Sequence, residues 1–295
     1  MYRNKEFNIF MSDLVCILVL YKLTLEESDT FISLSKSIES TSSKCTIVVY
    51  DNSPEPHYNS SKIYPNWNIL YVHNKENGGV SIAYNEGAKL AQTLNKKWLL
   101  LLDQDTYFEL NLFEKYFENI NSYQIGKVFV PILKSGFNNI SPSYYFLKRG
   151  KAMGDIIPGP LKFKNKTFLN SGLLISLDTF LEAKGYIETI KLYYSDFSFS
   201  EKLSRINKYF YVVDSFAKHS LNSNDGSNII TFTIYCQGAY QFSKESNLSG
   251  GIFLFITVLL RSVKLSIKYR KFEYLSIFFS EFIGIKYRSI HKLIL

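Results

Sequence analysis

The chain reads as an α/β fold with a largely parallel sheet covered by helices on both faces. Three observations predict it: short continuous apolar runs, helix-spaced apolar residues between them, and polar residues gathered where the runs stop. The first run is 14–20, Leu-Val-Cys-Ile-Leu-Val-Leu, read as a buried strand. Leu25, Phe31, Leu34 and Ile38 then recur at roughly helical spacing. A second strand at 46–50 stops at Asp51-Asn52-Ser53-Pro54, residues whose short side chains bond their own backbone. Residues 68–72 make a third strand. Asn77-Gly78-Gly79 then leads into a helix with Val80, Ala83, Gly87, Leu90, Ala91 and Leu94 on one face. Trp98 and four leucines form a fourth strand, which ends abruptly in Asp103-Gln104-Asp105-Thr106. Further on, Asn170-Ser171-Gly172 is a small-residue turn entering a strand to Ile175, and Ser195-Asp196 opens a helix to about Arg205. A strand at 209–213 precedes His219.

Ligands of open α/β sheets bind outside the carboxyl ends of the strands. Asp51, Asn77, Asn85, Asp103 and Asp105 all fall at that edge, and Gly78 and Gly79 allow backbone to approach a ligand closely. Each has a bland counterpart as turn former, loop glycine or solvated helix position, but their convergence on one edge argues for a site. Two aspartates one residue apart repel and raise each other's pKa unless a cation sits beside them. Mg²⁺ or Mn²⁺ is the simplest partner, because either is held by one or two carboxylates with phosphate oxygens completing the shell. Asp196, near the start of its helix, reads either as a plain N-cap or as a base kept charged by the helix amino terminus. His219, one of four histidines, reads as an ordinary surface or core residue.

Asp51-Asn52-Ser53, Asn77-Gly78-Gly79, Ala83-Tyr84-Asn85-Glu86-Gly87 and Leu101-Leu102-Asp103-Gln104-Asp105, in this order, resemble the nucleotide-sugar half of family-two glycosyltransferases. The resemblance covers about residues 14–220 and is nearest to the rhamnosyltransferase-like branch, in which Asp-Gln-Asp is a usual form of the metal motif. It implies a GT-A (Rossmann-like) nucleotide-sugar-binding fold with a mixed central sheet, spanning residues 1–245, with a donor half at 12–132 and an acceptor half at 133–245. It implies that Asp51 contacts the nucleotide base, that Asn77, Gly79 and Asn85 belong to the nucleotide-sugar site, and that Asp103 lies near the ribose. Asp105, with Asp103 and His219, would hold Mn²⁺ or Mg²⁺. Ser171 and Gly172 would lie by the donor sugar and acceptor, and Asp196 would be the catalytic base of an inverting transfer. The irregular stretch 134–166, with Pro142, Pro158 and Pro160, suits an acceptor-binding loop. One departure is Tyr21-Lys22, where many relatives carry Tyr-Asn.

The implied activity is an inverting glycosyltransferase that moves a sugar from dTDP-rhamnose or a UDP-sugar to a glycan or lipid-linked oligosaccharide of a surface polysaccharide. A sugar-nucleotide pyrophosphorylase-like enzyme is the alternative, although no Gly-rich, Arg-containing loop stands near the amino terminus. A non-catalytic membrane-associated scaffold of the same fold is the other.

Charge placement bears on partners. The chain has 295 residues and a net charge of +8. Residues 261–295 hold eight Lys or Arg against two Glu, a net +6, which leaves +2 for the first 260. A nucleic-acid enzyme would carry its positive charge around the site, so no nucleic-acid partner is expected. Residues 246–295 read as a basic, aromatic-rich amphipathic extension. Its longest apolar run, 252–260, is short of the ~20 residues that span a bilayer, so an anionic membrane surface is the expected partner. Packing on the domain, or on a second copy in a homo-oligomer, is the competing reading. Three widely spaced cysteines suggest neither disulfides nor zinc. With no signal peptide apparent, the expected location is cytoplasmic, on the inner face of the cell membrane.

Overall fold

The structure, a computed structural model, describes residues 2–220 and 228–284, with side chains from residue 5 onward. The last stretch of the basic extension, 285–295, lies outside the described residues. Helix α1 (Tyr2–Asp13), not expected from the sequence, leads into β1 (Leu14–Leu20). There follow α2 (Asp29–Thr41), β2 (Cys45–Asp51), β3 (Trp67–His73), α3 (Gly79–Thr93), β4 (Trp98–Asp103) and β5 (Thr106–Phe108). Next come α4 (Leu112–Ser122), β6 (Val128–Ser135), β7 (Asn138–Ser141), β8 (Ser143–Phe146), β9 (Arg149–Ala152), β10 (Gly159–Lys162) and β11 (Lys166–Thr167). The remainder is β12 (Leu173–Ser176), α5 (Leu177–Glu182), α6 (Ser195–Ile206), β13 (Tyr209–His219), α7 (Ile229–Lys244), α8 (Leu248–Tyr269) and α9 (Glu273–Ile283).

The main sheet runs β10-β13-β6-β12-β4-β1-β2-β3, with β5 added to β13 and β7 to β6. The block β3-β2-β1-β4 is parallel, as the alternating pattern predicts. Beyond β4 the sheet turns mixed, since β12 is antiparallel to both β4 and β6. Along β1 and β4 alternate residues enter opposite cores, because successive strand side chains face opposite sides. Cys16, Leu18, Leu100 and Leu102 pack on one face, and Val15, Ile17, Leu99 and Leu101 on the other. Burial on both faces is why these strands read as unbroken apolar runs.

The expectation of an irregular loop over 134–166 is corrected. The stretch holds four-residue strands, and β8, β9 and β11 form a separate small sheet. Exposed strands this short carry too few alternations for a period to show.

The carboxyl-terminal helices form a third core, in which α7, α8 and α9 enclose Phe232, Cys236, Leu254, Val258 and Phe278 against Ile190 and Tyr194. This helical layer therefore starts at Ile229, ahead of residue 246. Although its apolar run is broken by Arg261, α8 is long and apolar enough to cross a membrane by length and composition. It is amphipathic in place: Leu254, Val258 and Leu265 are buried, while Ile252, Ile256, Leu260 and Ile267 are exposed. Cys16 and Cys45 are buried free thiols, Sγ to Sγ 3.9 Å, and Cys236 is a third.

Candidate active site

Strand register gathers the acidic residues. Asp51 pairs with Leu20 and with His73, and Asp103 with Val19, so both carboxylates stand at one carboxyl edge with β1 between them. After Asp103 the chain turns and returns as β5, which pairs antiparallel with the end of β13. That pairing sets His219 opposite Thr106, although 113 positions separate them. His219 Nδ1 lies 3.6 Å from Asp105 Oδ1 and 2.7 Å from Thr106 Oγ1. Thr106 Oγ1 is also 2.7 Å from Ser171 Oγ, and Ser171 Oγ accepts from the Asp103 N–H at 3.3 Å. Asp103, Asp105, Ser171 and His219 thus meet around one buried threonine.

Burial pushes the Asp103 and Asp105 carboxyls above their usual range, against a lowering pull from His219. Tyr84, fully buried on α3, donates to Asp103 Oδ1 at 2.8 Å. Among the described residues no Lys or Arg pairs with either aspartate, and no three His, Cys, Asp or Glu side chains converge as a metal cage. Two crowded carboxylates with no Lys or Arg partner among the described residues fit Mn²⁺ or Mg²⁺, which needs only one or two protein carboxylates when diphosphate oxygens complete its shell.

The hairpin carrying Asp105 is pinned from α2. Thr30 Oγ1 donates to the Thr106 carbonyl at 2.8 Å and accepts from the Thr106 N–H at 3.0 Å. Gln104 Oε1 accepts from the Tyr21 N–H at 2.7 Å, tying the hairpin to the end of β1. Lys22, the departure noted in the sequence, has φ 57° and donates its N–H to Ser53 Oγ at 2.7 Å.

Other expected site residues are occupied by the chain itself. Asp51 is buried and accepts from Ser53 N, His57 N and the Tyr71 hydroxyl at 2.9, 3.0 and 2.7 Å. Burial alone would raise its pKa, but these hydrogen bonds hold it below the usual carboxylate range. At Gly79, φ +83°, an added Cβ would stand 2.2 Å from the Lys191 carbonyl oxygen. The close approach at this glycine is made by the chain's own backbone. Asn77, φ 49°, accepts at its carbonyl from Lys191 Nζ at 3.5 Å. Asn85 bonds Tyr186 N, Tyr186 O and Glu188 Oε1 at 2.8, 3.0 and 3.1 Å. These contacts lock α3 to the segment 185–191 that leads into α6. Gly172, φ +82°, sits where a Cβ would meet Pro131 Cγ at 2.6 Å.

Asp196 is the second residue of α6, and its Oδ1 accepts from the Phe197 N–H at 2.9 Å. The expectation of a carboxylate kept charged by the helix end is corrected: burial outweighs that hydrogen bond, Asp103 adds repulsion, and the pKa is pushed up to about 7. Asn170 ties Tyr186 to the start of α6, its Oδ1 accepting from Tyr186 Oη at 2.7 Å and its Nδ2 donating to Ser195 Oγ at 3.4 Å. Thr30, Tyr84, Thr106, Asn170 and Tyr186 were not singled out from sequence. Each is buried, and no local pattern names its partner, so only the fold reveals it.

Residues 29–164 match the family model for glycosyl transferase family 2, a span that contains Asp51 through Asp105 but not Ser171, Gly172, Asp196 or His219. No curated protein matches the chain. Among solved structures, S. aureus TarS 1–349 superposes with a TM-score of 0.51 at 14% identity, covering 93% of each chain. The same protein in complex with UDP gives 0.52 at 15% identity, and in complex with UDP-GlcNAc 0.53 at 12%, each covering 93% of both chains. At such identity the likeness concerns the fold, which is the GT-A arrangement of a mixed sheet with its acidic edge.

Proposed function

We propose that this chain, whose residues 29–164 match glycosyl transferase family 2, is an inverting, divalent-metal-dependent glycosyltransferase of that family using a nucleoside-diphosphate sugar. The observation that carries the reading is the meeting of Asp103, Asp105, Ser171 and His219 around Thr106, with Asp196 poised near neutrality on the adjoining α6. UDP and UDP-GlcNAc are bound by the TarS structures, which makes UDP-sugars candidate donors beside dTDP-rhamnose. The acceptor is a hydroxyl of a glycan or lipid-linked oligosaccharide.

Asp105 and Asp103 would hold Mn²⁺ or Mg²⁺. The ion, when bound, would supply Lewis-acid neutralisation of the departing diphosphate. Asp196, near neutrality, is ionised for a large fraction of the time at pH 7 yet basic enough to accept the acceptor proton, the compromise a general base requires. As the acceptor oxygen attacks the anomeric carbon opposite the diphosphate, its proton passes to an Asp196 carboxylate oxygen. Tyr84 keeps Asp103 oriented, and Asn170, through Tyr186 and Ser195, holds the start of α6. Asp196→Asn should abolish nucleoside-diphosphate release from UDP-sugars and dTDP-rhamnose while UDP or dTDP still binds; full turnover in the variant would remove the base assignment.

The same reading puts the enzyme on the cytoplasmic face of a membrane. In support, α8 exposes Ile252, Ile256, Leu260 and Ile267 at near-helical repeat, with Lys264, Lys268, Arg270 and Lys271 close by in sequence. An apolar stripe bordered by basic residues suits an anionic interface. Replacing Ile252, Leu260 and Ile267 by Ser should release the protein from phosphatidylserine-containing vesicles. Retained binding refutes the reading, and a change from dimer to monomer instead would assign the stripe to a second copy.

A further inference from the structure

Resting on the glycosyltransferase reading, we propose that the acceptor carries phosphate and that a lysine-lined cavity along α6 binds that phosphate next to the catalytic base. The cavity, about 540 Å³, is bounded by the turn between β10 and β11, by the residue before β13 and by the second to fourth turns of α6. It belongs to none of the groups around Asp105.

The lining is cationic by construction. In the turn, Phe163 is buried against Phe168 and Phe210, while Lys162 and Lys164 on either side of it are exposed and Lys166 is half-buried. Backbone bonds fix that turn on both flanks: Phe163 N–H donates to the Lys208 carbonyl at 3.1 Å, and Tyr145 N–H to the Asn165 carbonyl at 2.8 Å. Lys162, Lys164, Lys166 and Lys208 all line the cavity, and among the described residues none of their ammoniums pairs with a carboxylate. Glu201 is the one acidic residue in the lining, and Lys148 already neutralises it, with Tyr145 donating to the same oxygen at 2.8 Å. Ser200 is 3% exposed and lines the cavity.

The chemistry favours phosphate over carboxylate. Lysines act as point charges that suit the spread oxygens of a phosphate, whereas a planar carboxylate is matched by the arginine fork, and no Arg lines this cavity. Position favours an acceptor over a free anion. Asp196 and Ser200 are four residues apart on one face of α6, so the nearest cavity residue is one turn, ~6 Å along the axis, from the base. Tyr145, in the cavity wall, packs on Phe197 with ring centroids 5.4 Å apart, which joins the wall to the residue after the base.

The test is calorimetric titration of the full chain with inorganic tripolyphosphate and, separately, orthophosphate. A chelator is present, so that the acidic edge repels anions. Lys162→Gln/Lys164→Gln/Lys208→Gln should weaken tripolyphosphate at least ~tenfold, while Lys5→Gln/Lys44→Gln/Lys96→Gln, an equal charge change in the donor half, should leave it within ~twofold. No binding by the wild type, equal losses in the two variants, or no loss in the first would overturn the proposal. Orthophosphate binding as tightly as tripolyphosphate would assign the cavity to a free anion and also overturn it. Stabilisation by UDP with Mn²⁺, measured on the same proteins, reads the donor site separately. Its absence would count against the glycosyltransferase reading while the titration still reads the cavity.

Discussion

Asp196→Asn should stabilise the fold, and do so only where the carboxyl would be charged. The folded pKa is raised from the usual 3.8 to about 7, chiefly by burial, with repulsion from Asp103 added. A carboxyl with a raised folded pKa contributes its stability fully below the unfolded pKa and loses it as the pH climbs through the folded one. At about 1.4 kcal/mol per pH unit, that interval sets a ceiling of about 4 kcal/mol on the cost of ionising Asp196 in place. Asparagine removes the charge but keeps an Oδ1 to accept from the Phe197 N–H. Urea unfolding of wild type and Asp196→Asn, without metal, should give equal stabilities near pH 4, a variant advantage that grows from pH 4 to 7, and a plateau of at most about 4 kcal/mol above it. A constant difference across that range, or a variant that loses stability as the pH rises, would refute the reasoning.

Asp51 should behave in the opposite sense. Its pKa is held low by three hydrogen bonds, so its stability is present above the unfolded pKa and lost as the pH falls through the folded one; Asp51→Asn should cost about 1–3 kcal/mol at pH 7 and progressively less under acid, read by urea unfolding. Gly79→Ala, forced to φ +83° with a Cβ 2.2 Å from the Lys191 carbonyl, should lose about 1–3 kcal/mol of stability, and an unchanged melting temperature would show that the α3 junction yields freely. Tyr84→Phe removes the donor to Asp103 Oδ1 and should weaken metal-dependent nucleotide binding about three- to tenfold in calorimetry, with its loss on acidification moved to higher pH; unchanged affinity would leave Tyr84 a packing residue.

The donor half was legible because its signals are local. Leu99 to Leu102 and the run 14–20 are buried on both faces, so strand identity shows as composition, and the aspartates that stop them appear at the sheet edge. Asp196 was legible as the start of a helix, whereas its protonation was not: the helix end favours charge, and the burial that overrides it comes from distant segments. His219 was found only by resemblance, since its neighbourhood depends on β5 pairing with β13, a register that no local pattern encodes. Asn85 and Gly79 look like ligand contacts in sequence because polar and glycine residues at a strand edge suit one; in the fold they answer to 185–191, about a hundred positions away. The small strands over 138–152 escaped notice because half-exposed four-residue strands lack a readable period.

The central claim is that Asp105 anchors a metal-dependent nucleoside-diphosphate site. Its most direct test is the melting temperature of wild type and Asp105→Asn with UDP, dTDP or GDP, each with Mn²⁺ or with chelator. A nucleotide at ~100 times its dissociation constant should add about 2.7 kcal/mol of stability. The account predicts such a shift in the wild type for UDP or dTDP, dependent on Mn²⁺ and lost in Asp105→Asn. A shift of equal size in the chelator, or one retained by the variant, would contradict it.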